Sequence, residues 1–108
     1  MSQVLDDLYE VVLTRKGHPM DGSYTCYLFE QGLDKILKKC GEESSEVLIA
    51  AKNGNKDELV GEIGDLVYHL LVLMAEKEIP VSELFALLEE RSMKIGNLKP
   101  KTESVKES

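Results

Sequence analysis

The sequence predicts an all-α protein, a bundle of about four main helices that pairs with a second copy of itself. Three observations carry that expectation. Apolar residues recur at helical spacing in successive segments, and each segment stops at a Gly, Asn or Pro break. The composition is helix-rich, with 31% charged and 6% aromatic residues, no Trp and only three Pro. With 108 residues there is material for one small core and little to spare. Residues 1–96 are expected to form a single domain and 97–108 a polar, mobile tail. No internal repeat, low-complexity tract or linker interrupts the chain.

The first helix is expected from about Ser2 to Arg15, capped by Ser2, with Val4, Leu5, Leu8, Val11 and Val12 as its apolar face. Lys16 to Gly22 reads as a loop, punctuated by two glycines and Pro19. A short helix follows to about Gln31, capped by Ser23 or Thr25. Gly32 marks a bend, and Asp34 is placed to help start the next helix. That second long helix should run from Leu33 to Lys52, burying Leu33, Ile36, Leu37, Cys40, Val47, Leu48 and Ala51. Lys35, Lys39, Glu42 and Glu46 form a separate stripe with Glu43 at its edge.

Asn53-Gly54-Asn55 breaks the chain before a third long helix, from Lys56 to Lys77. Glu58, Glu62, Asp65 and His69 share one stripe there, and Leu59, Ile63, Leu66 and Leu70 line the adjoining face. From Leu66 to Ala75 every residue but His69 is apolar or aromatic. Ten residues cannot cross a bilayer, so the segment reads as a buried central helix. A helix apolar all round needs neighbours on every side, and a homodimer supplies them better than one small chain. The last helix should start near Pro80-Val81-Ser82 and run through Leu84, Phe85, Leu87, Leu88 and Arg91 to Ile95, where Gly96 ends it.

Charge narrows the partners. A formal net charge of −7 argues against nucleic acid or an anionic membrane as a broad partner. It leaves room for a phosphorylated small molecule if a metal and local lysines offset the acids. Two cysteines, Cys26 and Cys40, make neither a disulfide framework nor a zinc pair, and Met1 to Val4 has no signal-peptide character. A cytoplasmic location is the expectation.

Glu42, Glu43 and Glu46 lie on one helix and Glu62 and Asp65 on the next. Like charges at that spacing cost roughly 0.2–0.5 kcal/mol per pair. A solvated Lys/Glu face explains the first cluster alone about as well as a site does. Doing it twice, beside an apolar segment, points to a cation held between the helices. Oxygen-only donors suit Mg²⁺ or Mn²⁺, whereas zinc lacks a Cys/His grouping. A di-iron bundle would need Glu three residues before His, which neither His18 nor His69 has. Gly41, Gly61 and Gly64 each cost about 1 kcal/mol relative to Ala, so close helix approach or room for a ligand is expected beside the acids.

Longer motifs sharpen this. Ser23-Tyr24-Thr25-x-x-Leu28-Phe29, Gly32 to Lys39, Glu42-Glu43-x-x-Glu46-Val47 and Glu62-x-x-Asp65-Leu66-x-Tyr68-His69 resemble the phosphoribosyl-ATP pyrophosphohydrolases of histidine biosynthesis. These belong to the MazG-like all-α pyrophosphohydrolase superfamily, and the resemblance covers about Leu5 to Arg91. The superfamily's E-x-x-E, spacer, E-x-x-D pattern falls on Glu43, Glu46, Glu62 and Asp65, which the resemblance makes the metal ligands. Gly61 departs from the larger residue usual in the family.

The resemblance implies Mg²⁺-dependent cleavage of phosphoribosyl-ATP between its α- and β-phosphates. Glu42 or Glu46 would orient or deprotonate the water, and Lys35 and Lys39 would meet phosphate oxygens. Ser23 and Thr25 would bond phosphate or ribose, with helix capping an equal explanation. His69 would be either an orienting residue or a satisfied core histidine. No fused cyclohydrolase domain is seen, so phosphoribosyl-AMP cyclohydrolase is expected as a separate pathway neighbour. Two other classes stay open, a MazG-like dNTP pyrophosphatase using the same metal site and a non-enzymatic helical dimerisation module.

Overall fold

The structure, a computed structural model, describes residues 3–97. They form five helices: α1 (Gln3–Gly17), α2 (Tyr24–Gln31), α3 (Leu33–Asn53), α4 (Lys56–Glu76) and α5 (Val81–Asn97). No strand occurs among the described residues. The all-α expectation holds, with α2 as a short fifth helix beside four longer ones. Helices α1 to α4 make one compact unit, and α5, following Pro80, belongs to a second. In that second unit Glu83 N–H donates to the Pro80 carbonyl at 3.0 Å, closing the first turn. Gly96 does not end α5, which continues to Asn97. The tail expected over 97–108 lies, beyond Asn97, outside the described residues, and so does the expected cap Ser2.

The first unit is built on the α3–α4 hairpin. Gly54 sits at φ +78°, where a side chain would be strained, and its N–H closes α3 on the Ala51 carbonyl at 3.3 Å. The Asn55 side chain then caps α4 by accepting from Glu58 N–H at 3.0 Å. Cys40 Sγ reaches the His69 carbonyl at 3.6 Å, and Glu43 lies against Glu62 and Asp65. Rising numbers on α3 thus meet falling numbers on α4, and the two helices are antiparallel.

Helix α1 packs on α4 and α2. Tyr9 Oη donates to the Ile79 carbonyl at 2.5 Å, and Lys16 Nζ donates to the Ala75 carbonyl at 2.7 Å, tying α1 to the C-terminal end of α4. Its buried face is Tyr9 and Val12; Val4 and Val11, expected inside, are exposed. The helix also runs two residues beyond Arg15, so Lys16 and Gly17 are not loop. Ser23 caps α2 by accepting from Cys26 N–H at 3.2 Å. Gly32, at φ +92°, bends the chain into α3 without any side-chain cap, so Asp34 contributes only its charge in the first turn. Tyr9, Val12, Leu28, Ile36, Ala50, Leu71, Val72 and Ala75 are the fully buried apolar residues.

Two faces differ from the expected ones. On α3, Leu37 and Leu48 are exposed, and Glu43 joins Ile36 and Ala50 in the buried stripe. On α4, the chain itself buries Leu71, Val72 and Ala75 and half-covers Leu66, Val67, Leu73 and Met74. Val60, Ile63 and Leu70 remain exposed. The central helix therefore closes more of its circumference within one chain than its composition implies.

Candidate active site

Four residues of the acid pattern are delivered by the hairpin. The i, i+3 spacing of Glu43 with Glu46, and of Glu62 with Asp65, aims each pair off one helix face. Antiparallel packing turns those faces together. One carboxylate oxygen from each of Glu43, Glu62 and Asp65 lies within 4.8 Å of the others. Glu46 stands beside Glu62, outside that trio. Glu43 is only 6% exposed, Glu62 is half-buried and Asp65 is exposed, so the group opens to solvent on one side.

Glu62 is the strained member. Its Oε1 is buried and has no hydrogen-bond partner. Its pKa is raised, first by burial, then by the Glu46 carboxyl through hydrogen bonding and charge, and further by Asp65 and Glu43. Buried carboxylate oxygens are ordinarily satisfied. Three carboxylates brought together, one of them with a buried oxygen left unsatisfied, are what a hard divalent cation requires. The residues present therefore fit Mg²⁺ or Mn²⁺. The glycines beside the acids are not points of close approach within the chain. A Cβ on Gly41, Gly61 or Gly64 would meet nothing within 4 Å.

Among the cations, Lys39 Nζ lies 3.1 Å from Glu42 and 3.8 Å from Glu43. The hydrogen bond to Glu42 raises the Lys39 pKa, and the same bond lowers that of Glu42. Lys35 makes no ion pair among the described residues, and its Nζ sits 5.8 Å from the Tyr27 ring centroid. Lys39 thus stands at the acid group, with Lys35 one turn away toward α2.

Ser23 and Thr25 are both engaged in holding α2. Ser23 is the cap, and Thr25 Oγ1 makes a short hydrogen bond with Tyr68 Oη of α4. Ser23→Ala is expected to lower stability by about 1 kcal/mol, the usual worth of a cap. Ser23→Asp should restore it. Urea denaturation beside KM separates the roles: a KM that follows stability leaves Ser23 as a cap, and a KM that rises in both variants makes it a ligand.

His69 is 5% exposed and uses both ring nitrogens. Nδ1 lies 2.7 Å from the Asp65 carbonyl oxygen, which can only accept, so Nδ1 carries the proton. In the neutral ring Nε2 then accepts from Tyr24 Oη at 3.0 Å. Its ring meets those of Tyr24 and Tyr68 edge-on at 5.7 and 4.8 Å. The imidazole is a satisfied core group that also steadies the backbone of Asp65. Tyr24 had no role assigned from sequence, although it sits inside the Ser-Tyr-Thr motif; its place at the first turn of an eight-residue helix is the signal that marks it.

With this geometry in place, comparison with known proteins decides the family. The sequence model described as phosphoribosyl-ATP pyrophosphohydrolase matches residues 5–92. The chain belongs to that family. Proteins named phosphoribosyl-ATP pyrophosphatase include one from Clostridium novyi (strain NT), 50% identical over 102 residues, 94% of this chain and 93% of that protein. One from Clostridium botulinum (strain Hall) is 52% identical, covering 96% and 94%. One from Listeria monocytogenes serotype 4b (strain CLIP80459) is 55% identical, covering 93% and 96%. The matched span contains every candidate site residue. This member of the phosphoribosyl-ATP pyrophosphohydrolase family is accordingly an enzyme, a hydrolase of phosphorus-containing anhydrides from the histidine-biosynthetic family. No helix among the described residues is long and apolar enough to cross a membrane.

Proposed function

We propose that this chain hydrolyses phosphoribosyl-ATP between the α- and β-phosphates, releasing phosphoribosyl-AMP and pyrophosphate, as a homodimer in the cytoplasm. The observation that carries the reading is the convergence of Glu43, Glu62 and Asp65, with one buried Glu62 oxygen left without a partner, in a chain of this family. Mg²⁺, or Mn²⁺, would be held by Glu43, Glu62 and Asp65 with Glu46 alongside, and would supply charge neutralisation of the triphosphate and a more acidic bound water.

The chain's own residues do the rest. Lys39 and Lys35 take anhydride and terminal phosphate oxygens, fixing the substrate in line with the attacking water. Attack forms a new P–O bond and breaks the bridging P–O bond, the electron pair leaving on pyrophosphate. Glu46 is the better acceptor for the water's proton, since the Lys39 hydrogen bond holds Glu42 below the usual carboxylate range. Glu42 instead keeps Lys39 in position. Ser23 and Thr25 hold α2, which brings its exposed tyrosines toward the substrate. A MazG-like dNTP pyrophosphatase would use the same acids. Pyrophosphate release from phosphoribosyl-ATP, measured beside dATP, dCTP, dGTP and dTTP, separates the two. A preference of at least about 100-fold for phosphoribosyl-ATP is expected, the discrimination a site built for an extra polar group provides. Equal rates on any dNTP would move the chain to the other branch.

A further inference from the structure

A cavity of about 420 Å³ lies beside the end of α1, the loop after it and α2, apart from the acid group. Its size is that of a small-molecule site. Its lining includes Arg15, Lys16, Asp21, Tyr27, Phe29 and Glu30. Lys16 is already committed, with its Nζ on the Ala75 carbonyl at 2.7 Å and 5.8 Å from the centre of the Phe29 ring. Arg15 is different: its guanidinium has no ion pair or hydrogen bond among the described residues. One uncommitted guanidinium, two carboxylates and two aromatic rings make a mixed, near-neutral lining. That suits a sugar monophosphate better than a bare polyphosphate. The guanidinium can take the phosphate bidentately, the carboxylates can accept from a ribose diol, and the rings can cover the apolar face of the sugar.

We propose that this cavity binds the ribose 5-phosphate arm of the substrate, with Arg15 on its phosphate, which rests on the substrate reading above. The reaction demands such a site. Phosphoribosyl-ATP and ATP share the triphosphate end that the acid group would bind. Only the added phosphoribosyl arm distinguishes them, so discrimination needs a second anchor away from the metal. The fold places the cavity suitably. Tyr27 on its wall stacks on Tyr24, centroids 6.1 Å apart and planes at 26°. Tyr24 bonds His69, and His69 bonds the Asp65 carbonyl. Three rings, those of Tyr27, Tyr24 and His69, and one helical turn thus connect cavity and acids. Tyr24 and Tyr27, 45% and 41% exposed, offer flat surface for the adenine in between.

The test has a binding arm and a kinetic arm, on wild type and Arg15→Gln, with thermal melts confirming that the variant folds. In the binding arm, ribose 5-phosphate is titrated into metal-free protein and backbone amide shifts are followed. Shifts in residues 15–30 that weaken about tenfold or more in Arg15→Gln support the cavity. Shifts confined to residues 35–46 and 58–65, or unchanged in the variant, overturn it. In the kinetic arm, Arg15→Gln should raise KM for phosphoribosyl-ATP by about 10- to 100-fold with kcat within about threefold. Mn²⁺ affinity and inhibition by ATP should stay as in wild type. A wild-type KM in the variant overturns the proposal while leaving the reaction in place. A wild type that ignores phosphoribosyl-ATP yet binds ribose 5-phosphate in residues 15–30 overturns the reaction and leaves the cavity standing.

Discussion

Glu62→Gln is expected to cut turnover by about 10³-fold or more and, in the same protein without metal, to raise the melting temperature at pH 8. Both effects come from one carboxylate. Glu62 Oε1 is buried without a donor, and Glu46, Asp65 and Glu43 add negative charge around it. In turnover, that negative charge is what a bound cation would need. Removing a ligand that helps stabilise the transferring group forfeits several kcal/mol, and each 1.36 kcal/mol is tenfold in rate. In the metal-free protein the same charge opposes folding. Its folded-state pKa is raised, so the stability linked to its proton is fully present below the unfolded value, about 4.3 for a glutamate, and is lost as pH rises through the folded value. As pH rises through that folded value the wild type loses it, and Gln, which cannot ionise, does not. Glu42 titrates with the opposite sign but is common to both proteins, so it cancels in the comparison. Differential scanning calorimetry in chelator from pH 5 to 8, beside Mn²⁺ titration, checks the claim. The gap should widen with pH. A variant that melts below wild type in chelator and keeps its turnover would make the acid group structural.

The acid pattern could be read from sequence because helical spacing converts directly into shared faces once one break is located. Asn53-Gly54-Asn55 supplied that break, and the register between Cys40 and His69 follows from a tight antiparallel turn. Burial was harder to read. Glu43 is charged and looked like the edge of a solvated stripe, yet it is among the most buried residues of α3. Hydropathy assigns leucines inside and glutamates outside, whereas Leu48 is 68% exposed. Which side of a helix faces its neighbour is decided by the whole packing arrangement, and an acid buried against two others inverts the usual rule. The Tyr24–His69–Asp65 connection was invisible for a related reason. Its members lie 45 and four residues apart, and only the docking of α2 on α4 brings Tyr24 to the imidazole.

The double variant Ile63→Glu, Leu70→Glu is expected to turn a dimer into a monomer. On α4, Val60, Ile63, Val67, Leu70 and Met74 follow each other at alternating steps of three and four, the spacing of a helix seam. Val60, Ile63 and Leu70 are exposed in the single chain, Val60 by 63%, and Val67 and Met74 are half-buried. Gly64 lies on the same stripe between Val60 and Val67, with open space where a Cβ would stand. The close approach expected at the glycines is therefore available to a second chain. Leaving such side chains in water forgoes about 1.5–3 kcal/mol each, a large share of the 5–15 kcal/mol that keeps a typical domain folded. An isologous pairing of two α4 helices would cover the stripe and would set two acid groups symmetrically about it. Two glutamates on that seam would each have to be buried beside their copies, so the dissociation constant should rise by about 10³-fold or more. Sedimentation of wild type at low micromolar concentration should show the dimer, and the double variant should sediment as monomer with a lower melting temperature. A wild type that is monomeric and fully active there would mean that the stripe stays in water, and that α4 serves only its own chain.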